Sequence, residues 1–121
     1  MNVMKFSSDN ENYEVSFEFR EYLSNRATLV VALTGELPYA KVSVNIEHAP
    51  TLQRGHFYLK DWSENVEIAK AMIDEKLIEP VEGTTPVYSG FVVAHAYQFT
   101  EEGLKYVENA MEFLMYRYPM W

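Results

Sequence analysis

Residues 87–99, Val-Tyr-Ser-Gly-Phe-Val-Val-Ala-His-Ala-Tyr-Gln-Phe, decide the fold class. The run is β-branched, aromatic and free of carboxylates and amines, so it reads as a strand. It follows a segment of helical period, so this strand is entered by a helical crossover and the domain is α+β rather than all-β. Its two faces differ in size. Gly90, Val92, Ala94 and Ala96 form a small face against which a helix can pack closely. Phe91, Val93, His95, Tyr97 and Phe99 form a large face pointing away from that helix. In a two-layer domain only solvent, a chain terminus or another molecule covers that side, which makes it a candidate contact surface. His95 is read as a hydrogen-bonded polar side chain within that surface rather than a catalytic group. Gly90 is read as admitting a nearby backbone or ring.

Upstream, Tyr13, Val15, Phe17 and Phe19 alternate with Glu14, Ser16, Glu18 and Arg20, the period of a half-buried strand. Ala27–Thr34 is apolar on both faces, as in an interior strand. Tyr39–Glu47 alternates again, and His56–Lys60 makes a short fourth strand. Turns are expected at Ser24-Asn25-Arg26 and at Thr34–Pro38. Residues 1–12 are polar and read as an N-terminal arm or weak strand before a single domain over 13–121. A first helix is expected from Asp61 or Ser63 to Ile78, with Val66, Ala69, Met72, Ile73 and Leu77 as its apolar stripe. A second is capped by Thr100 and stops before Pro119, with Leu104, Val107, Met111, Leu114 and Met115 buried. The predicted order is therefore ββββαβα: an antiparallel sheet of about five strands with both helices on one face.

The charge is uneven. Net charge is −8, and residues 61–112 account for it, with eleven carboxylates against Lys70, Lys76 and Lys105. Direct nucleic-acid binding is disfavoured, because neutralising phosphates needs a basic face. A basic protein partner, such as a nuclease, is favoured by long-range attraction. The residues assigned to the acidic face are Glu64, Glu67, Asp74, Glu101, Glu108 and Glu112. On the second helix Glu101, Glu108 and Glu112 are expected to fall on one face, consecutive members about 6–10 Å apart along the axis, a spacing that could mimic a row of phosphates. The aromatic contact residues are Phe91, His95, Tyr97 and Phe99, joined by Tyr116, Tyr118 and Trp121 of the C-terminus, residue types enriched in interface cores. These residues serve either a partner or self-association as a homodimer.

No catalytic residue, metal or cofactor is expected. With no cysteine in the chain, thiolate zinc sites and disulfides do not arise. His48 and His56 flank a loop at a spacing that matches no zinc signature. Nucleophile-elbow and phosphate-loop patterns are missing. No signal-peptide pattern and no apolar run near the roughly 20 residues of a membrane span occur, so a soluble cytoplasmic protein without membrane contact is expected.

The segments PYAKVSVNIE (38–47), HFYLKDWSEN (56–65), KLIEP (76–80) and SGFVVAHAYQF (89–99) together resemble a known family. It comprises small uncharacterised proteins from phages, plasmids and integrative elements of Gram-positive bacteria. The shared features are a Pro-Tyr-Ala strand, an Asn-containing strand-to-helix turn and a Ser-Gly-Phe strand ending in Tyr-X-Phe. They cover about half the chain. The sequence departs from the family at Val93–Ala96 and in its long second helical segment. The resemblance implies a mobile-element context, in which small acidic proteins act on host defence machinery such as RNA-guided nucleases (the target of anti-CRISPR proteins) and restriction enzymes. Such nucleases hold nucleic acid in positively charged channels. The expected function is thus a non-enzymatic inhibitor of a nucleic-acid-binding defence protein. The alternatives are a homo-oligomeric accessory protein of the element and a small-ligand-binding domain built around His95.

Overall fold

A computed structural model describes residues 2–115. The architecture is α+β, built from antiparallel sheets and two helices. The first sheet is a meander of β1 (Met4–Ser8), β2 (Glu11–Glu21), β3 (Thr28–Thr34) and β4 (Leu37–Lys41). The second has the order β5-β6-β10-β7, from β5 (Ser43–Val44), β6 (Phe57–Leu59), β7 (Ile78–Pro80) and β10 (Ala96–Phe99). β8 (Val87–Ser89) and β9 (Val92–Ala94) form a separate hairpin. Helix α1 spans Val66–Asp74 and α2 spans Ala110–Leu114.

The single five-stranded sheet expected from the sequence is therefore divided, for three local reasons. First, the segment expected to be an arm or weak strand holds the regular strand β1. Met4 and Phe6 point into the core, and Asp9 and Asn10, at φ 52° and 65°, make a two-residue turn into β2. Positive φ at both central positions is the type I′ geometry that Asp and Asn tolerate. Second, the strand expected over 39–47 changes sheet at the buried Val42. Its amide donates to the Val30 carbonyl at 3.0 Å, while its own carbonyl accepts from the Lys60 amide at 2.8 Å. One residue thus belongs to both sheets, and Asn65 pins the corner through Nδ2 to the Lys41 carbonyl at 2.7 Å. Third, the long strand over 87–99 turns back on itself at Gly90-Phe91. Gly90 has φ 64° and no atom would lie within 4 Å of an added Cβ, so it supplies a turn conformation and not the close approach expected of it.

The helices are also shorter than predicted. α1 starts three residues after Ser63, and neither Asp61 nor Ser63 caps it with a side chain. Its buried stripe is Ile68, Ala69 and Met72, one position round from the predicted one, which leaves Val66 and Ile73 exposed. The helix closes through Lys76 at φ 58°, whose amide bonds Ile73, while the Leu77 amide bonds Met72. That pair of bonds is a Schellman ending. The chain then leaves as β7, so Ile78 is a strand residue.

The second helical segment is broken. Thr100 caps it as predicted, its Oγ1 accepting from the Gly103 amide at 2.9 Å. The turn that follows is a 3-10 helix over Gly103–Tyr106, and Val107 is extended. The break serves β2. β1 covers only residues 11–15 of that strand, so the same edge needs partners further along. Residues 107–109 supply them. Val107 bridges Phe17, the Glu108 amide donates to the Phe17 carbonyl, and the Asn109 side chain bonds both the amide and the carbonyl of Phe19 at 2.8 Å. The hydrophobic residues buried here are Val107, Ala110 and Phe113, so the predicted members Met111, Leu114 and Met115 are exposed.

One core joins the two sheets. Val15, Phe17, Phe19 and Val30 of the first face Phe57, Leu59, Ile78 and Phe99 of the second, closed by Met72 of α1 and Phe113 of α2. A smaller cluster, Ile46, Tyr58, Ala94 and Ala96, lies on the other side of the second sheet. That sheet is buried on both faces, so the small side of the opening stretch packs against loop and strand side chains and not against a helix.

Candidate interaction surface

Among the described residues the large hydrophobic side chain with the greatest exposure, Phe91, lies at the tip of the β8–β9 hairpin. Val87 and Ala94 anchor its base in the smaller cluster. The strands pair Val87 with Ala94, Tyr88 with Val93 and Ser89 with Val92. With φ positive only at Gly90, the two-residue loop has the II′ character whose twist matches the strands. His48 approaches from the preceding loop, its Nε2 lying 3.2 Å from the Tyr88 carbonyl oxygen. At the tip, the Phe91 side chain is fully exposed at 107% and Tyr88 is 70% exposed.

The four aromatic-face residues of this stretch do not form one patch. Phe91 stands at the tip. His95 is exposed at the break between β9 and β10, its carbonyl accepting from the Leu59 amide at 3.1 Å, and it is not enclosed in a contact face. Tyr97 is half-buried against the main core, and burial, with the Asp61 charge, raises its pKa. Phe99 is a core residue, its ring centroid 5.6 Å from those of Phe17 and Phe19 and 5.7 Å from that of Phe57. Parity along the strand is kept from Ala94 to Phe99, but the face expected to be open is where the two sheets meet. Tyr116, Tyr118 and Trp121 lie outside the described residues.

Glu64, Glu67, Asp74, Glu101, Glu108 and Glu112 are all exposed. Glu64 pairs with Lys60 at 2.6 Å, which lowers its pKa, and Asp74 pairs with Lys70 at 2.5 Å. Glu108 accepts a hydrogen bond from the buried Ser16 hydroxyl at 2.9 Å. Because the helix is broken at Val107, Glu101, Glu108 and Glu112 fall on a turn, a bridge segment and α2, and the single helical row expected of them is not formed.

A second surface was not visible in the sequence. The β1–β2 turn, β4 and the start of α1 border an open groove of about 280 Å³, lined by Asp9, Tyr13, Tyr39, Glu64 and Glu67 among others. The Tyr13 and Tyr39 rings are 4.8 Å apart at 48°, and Phe6 stacks on Tyr13 at 5.3 Å. The Tyr13 hydroxyl donates to Glu11 at 3.0 Å, which, with burial and the Glu11 charge, pushes its pKa up to about 12. The alternation of Phe6, Tyr13 and Tyr39 is legible in sequence, but their meeting requires the β1–β2 turn to be recognised.

Among the described residues no three His, Asp or Glu side chains are placed to hold a metal, and no helix is long and apolar enough to cross a membrane. Comparison of the chain with family models, curated proteins and solved structures gave no match.

Proposed function

We propose that the chain is a non-enzymatic protein-interaction module whose partner is a basic protein, engaged through the β8–β9 hairpin. The observation that carries this reading is Phe91, a large aromatic side chain held fully in solvent at the tip of a braced hairpin. An isolated exposed hydrophobe is ordinary. Here a second aromatic, Tyr88, shares the hairpin, and aromatic anchors of this kind dominate the energy of protein interfaces. The net charge of −8, concentrated over residues 61–112, supports attraction to a basic surface.

With the mobile-element resemblance, this supports a reading in which the partner is a nucleic-acid-binding defence protein, the outcome is inhibition and the setting is the cytoplasm. Dispersed carboxylates steer the encounter in this account; they do not copy a phosphate row along one helix. Phe91→Ala is expected to weaken binding to the purified nuclease at least about 30-fold, the hot-spot range. Leu37→Ala, at a 71% exposed position at the start of β4, is expected to change it less than about two-fold. Calorimetry at low and high salt checks both, with affinity falling as salt rises. Equal affinity for the Phe91 variant would overturn the anchor assignment. A dimer seen by light scattering and dissolved by the same change would assign the anchor to a second copy of the chain.

A further inference from the structure

We propose that the groove between the β1–β2 turn, β4 and α1 is a binding site for a guanidinium group, filled by an arginine side chain of the basic partner. The proposal rests on that partner being basic, but it involves a surface other than the hairpin. What distinguishes the groove from an ordinary acidic patch is its aromatic wall. Tyr13 and Tyr39 line it together, their rings 4.8 Å apart, and Phe6 stacks on Tyr13. Cations are attracted to aromatic faces, and a planar guanidinium stacks on them while offering its edge to carboxylates.

The carboxylates stand on two sides of that wall. Asp9 comes from the β1–β2 turn, Glu64 from the 3-10 turn Ser63–Asn65 that precedes α1, and Glu67 from the first turn of α1. Glu64 is paired with Lys60, and Glu67 shares the field of Lys70, which is itself paired with Asp74, so the carboxylates that face a ligand with the least compensation are Asp9 and Glu67. An anion has no cationic side chain to meet among the lining residues, and an apolar segment would strand three carboxylates. A compact ammonium would gain from the charge but not from stacking, which favours arginine over lysine.

The test is an NMR titration of the isolated protein with N-acetyl-arginine methylamide, with the lysine analogue and choline as the other arms. The arginine compound is expected to give saturable shifts of the Tyr13 and Tyr39 rings and of the Ser8 and Asp9 amides. Tyr39→Leu, on an exposed edge strand, is expected to weaken binding about five-fold. Glu67→Gln is expected to weaken it about three-fold, with added salt acting in the same direction. Phe91→Ala should leave the titration unchanged, so failure of the hairpin reading and failure of this one are separable. Shifts that do not saturate, or an arginine affinity unmoved by Tyr39→Leu, would overturn the site. Equal or tighter binding of the lysine compound or choline would overturn its assignment to arginine.

Discussion

Phe99→Ala is expected to cost about 3–5 kcal/mol of folding stability, while Phe91→Ala, eight residues earlier in the same stretch, is expected to change it by less than about 0.5 kcal/mol. The difference follows from where the two rings lie. Phe99 is 7% exposed and meets the rings of Phe17, Phe19 and Phe57, so truncation leaves a cavity where the two sheets join. Phe91 touches solvent on all sides, so its removal loses no packing. Against a typical total stability of about 5–15 kcal/mol, the first change removes a large fraction of the margin. Urea denaturation followed by tryptophan fluorescence and circular dichroism measures both. A small loss for Phe99→Ala would mean that this face is not the junction of the sheets.

Gly103→Ala carries the second large effect. A Cβ at this position would lie 1.9 Å from the Leu77 carbonyl oxygen and 2.7 Å from its carbonyl carbon. These are backbone atoms at the exit of α1, and they are held in place. The Thr100 amide bonds the Leu77 carbonyl at 2.9 Å, and the Thr100 hydroxyl spans the Lys76 and Leu77 carbonyls. Relief of the clash requires the 100–106 turn to move off β7, which would drag residues 107–109 from the edge of β2. Overpacking in a well-packed interior costs about 1–3 kcal/mol and at times more. Here the obstacle is main chain, and we expect about 3 kcal/mol or above, a fall in melting temperature of about 10 °C for a chain of this size. A melting temperature within about 2 °C of the parent would show that the turn does not seat on Leu77.

These two positions also show what the sequence discloses and what it does not. The alternation of Tyr13–Arg20, the two-sided apolar run of β3 and the Thr100 cap are local signals, and each appears where the pattern places it. Period two marks which residues of 87–99 lie together, but not whether the chain turns at Gly90 or which sheet covers Phe99. Both depend on partners distant in sequence. The broken second helix is of the same kind. Leu104, Val107 and Met111 have helical spacing, yet the unpaired edge of β2 takes Val107–Asn109 as a partner. Asp9-Asn10 was a readable turn signal, and recognising it would have placed Phe6 beside Tyr13 and exposed the groove. For the candidate surface, the exposure of Phe91 and of the six carboxylates was legible, whereas the dispersal of Glu101, Glu108 and Glu112 was not.

The interaction-module account is tested most directly by photo-crosslinking from position 91 in cells that carry the protein, with position 37 as the control. A photoreactive phenylalanine analogue at 91 is expected to capture one basic nucleic-acid-binding protein, identified by mass spectrometry, and when lysate is irradiated instead of cells the yield of that adduct should fall as the salt present before irradiation rises. The same analogue at 37 should give no such adduct. Equal capture from both positions, or no adduct from 91, would contradict the account.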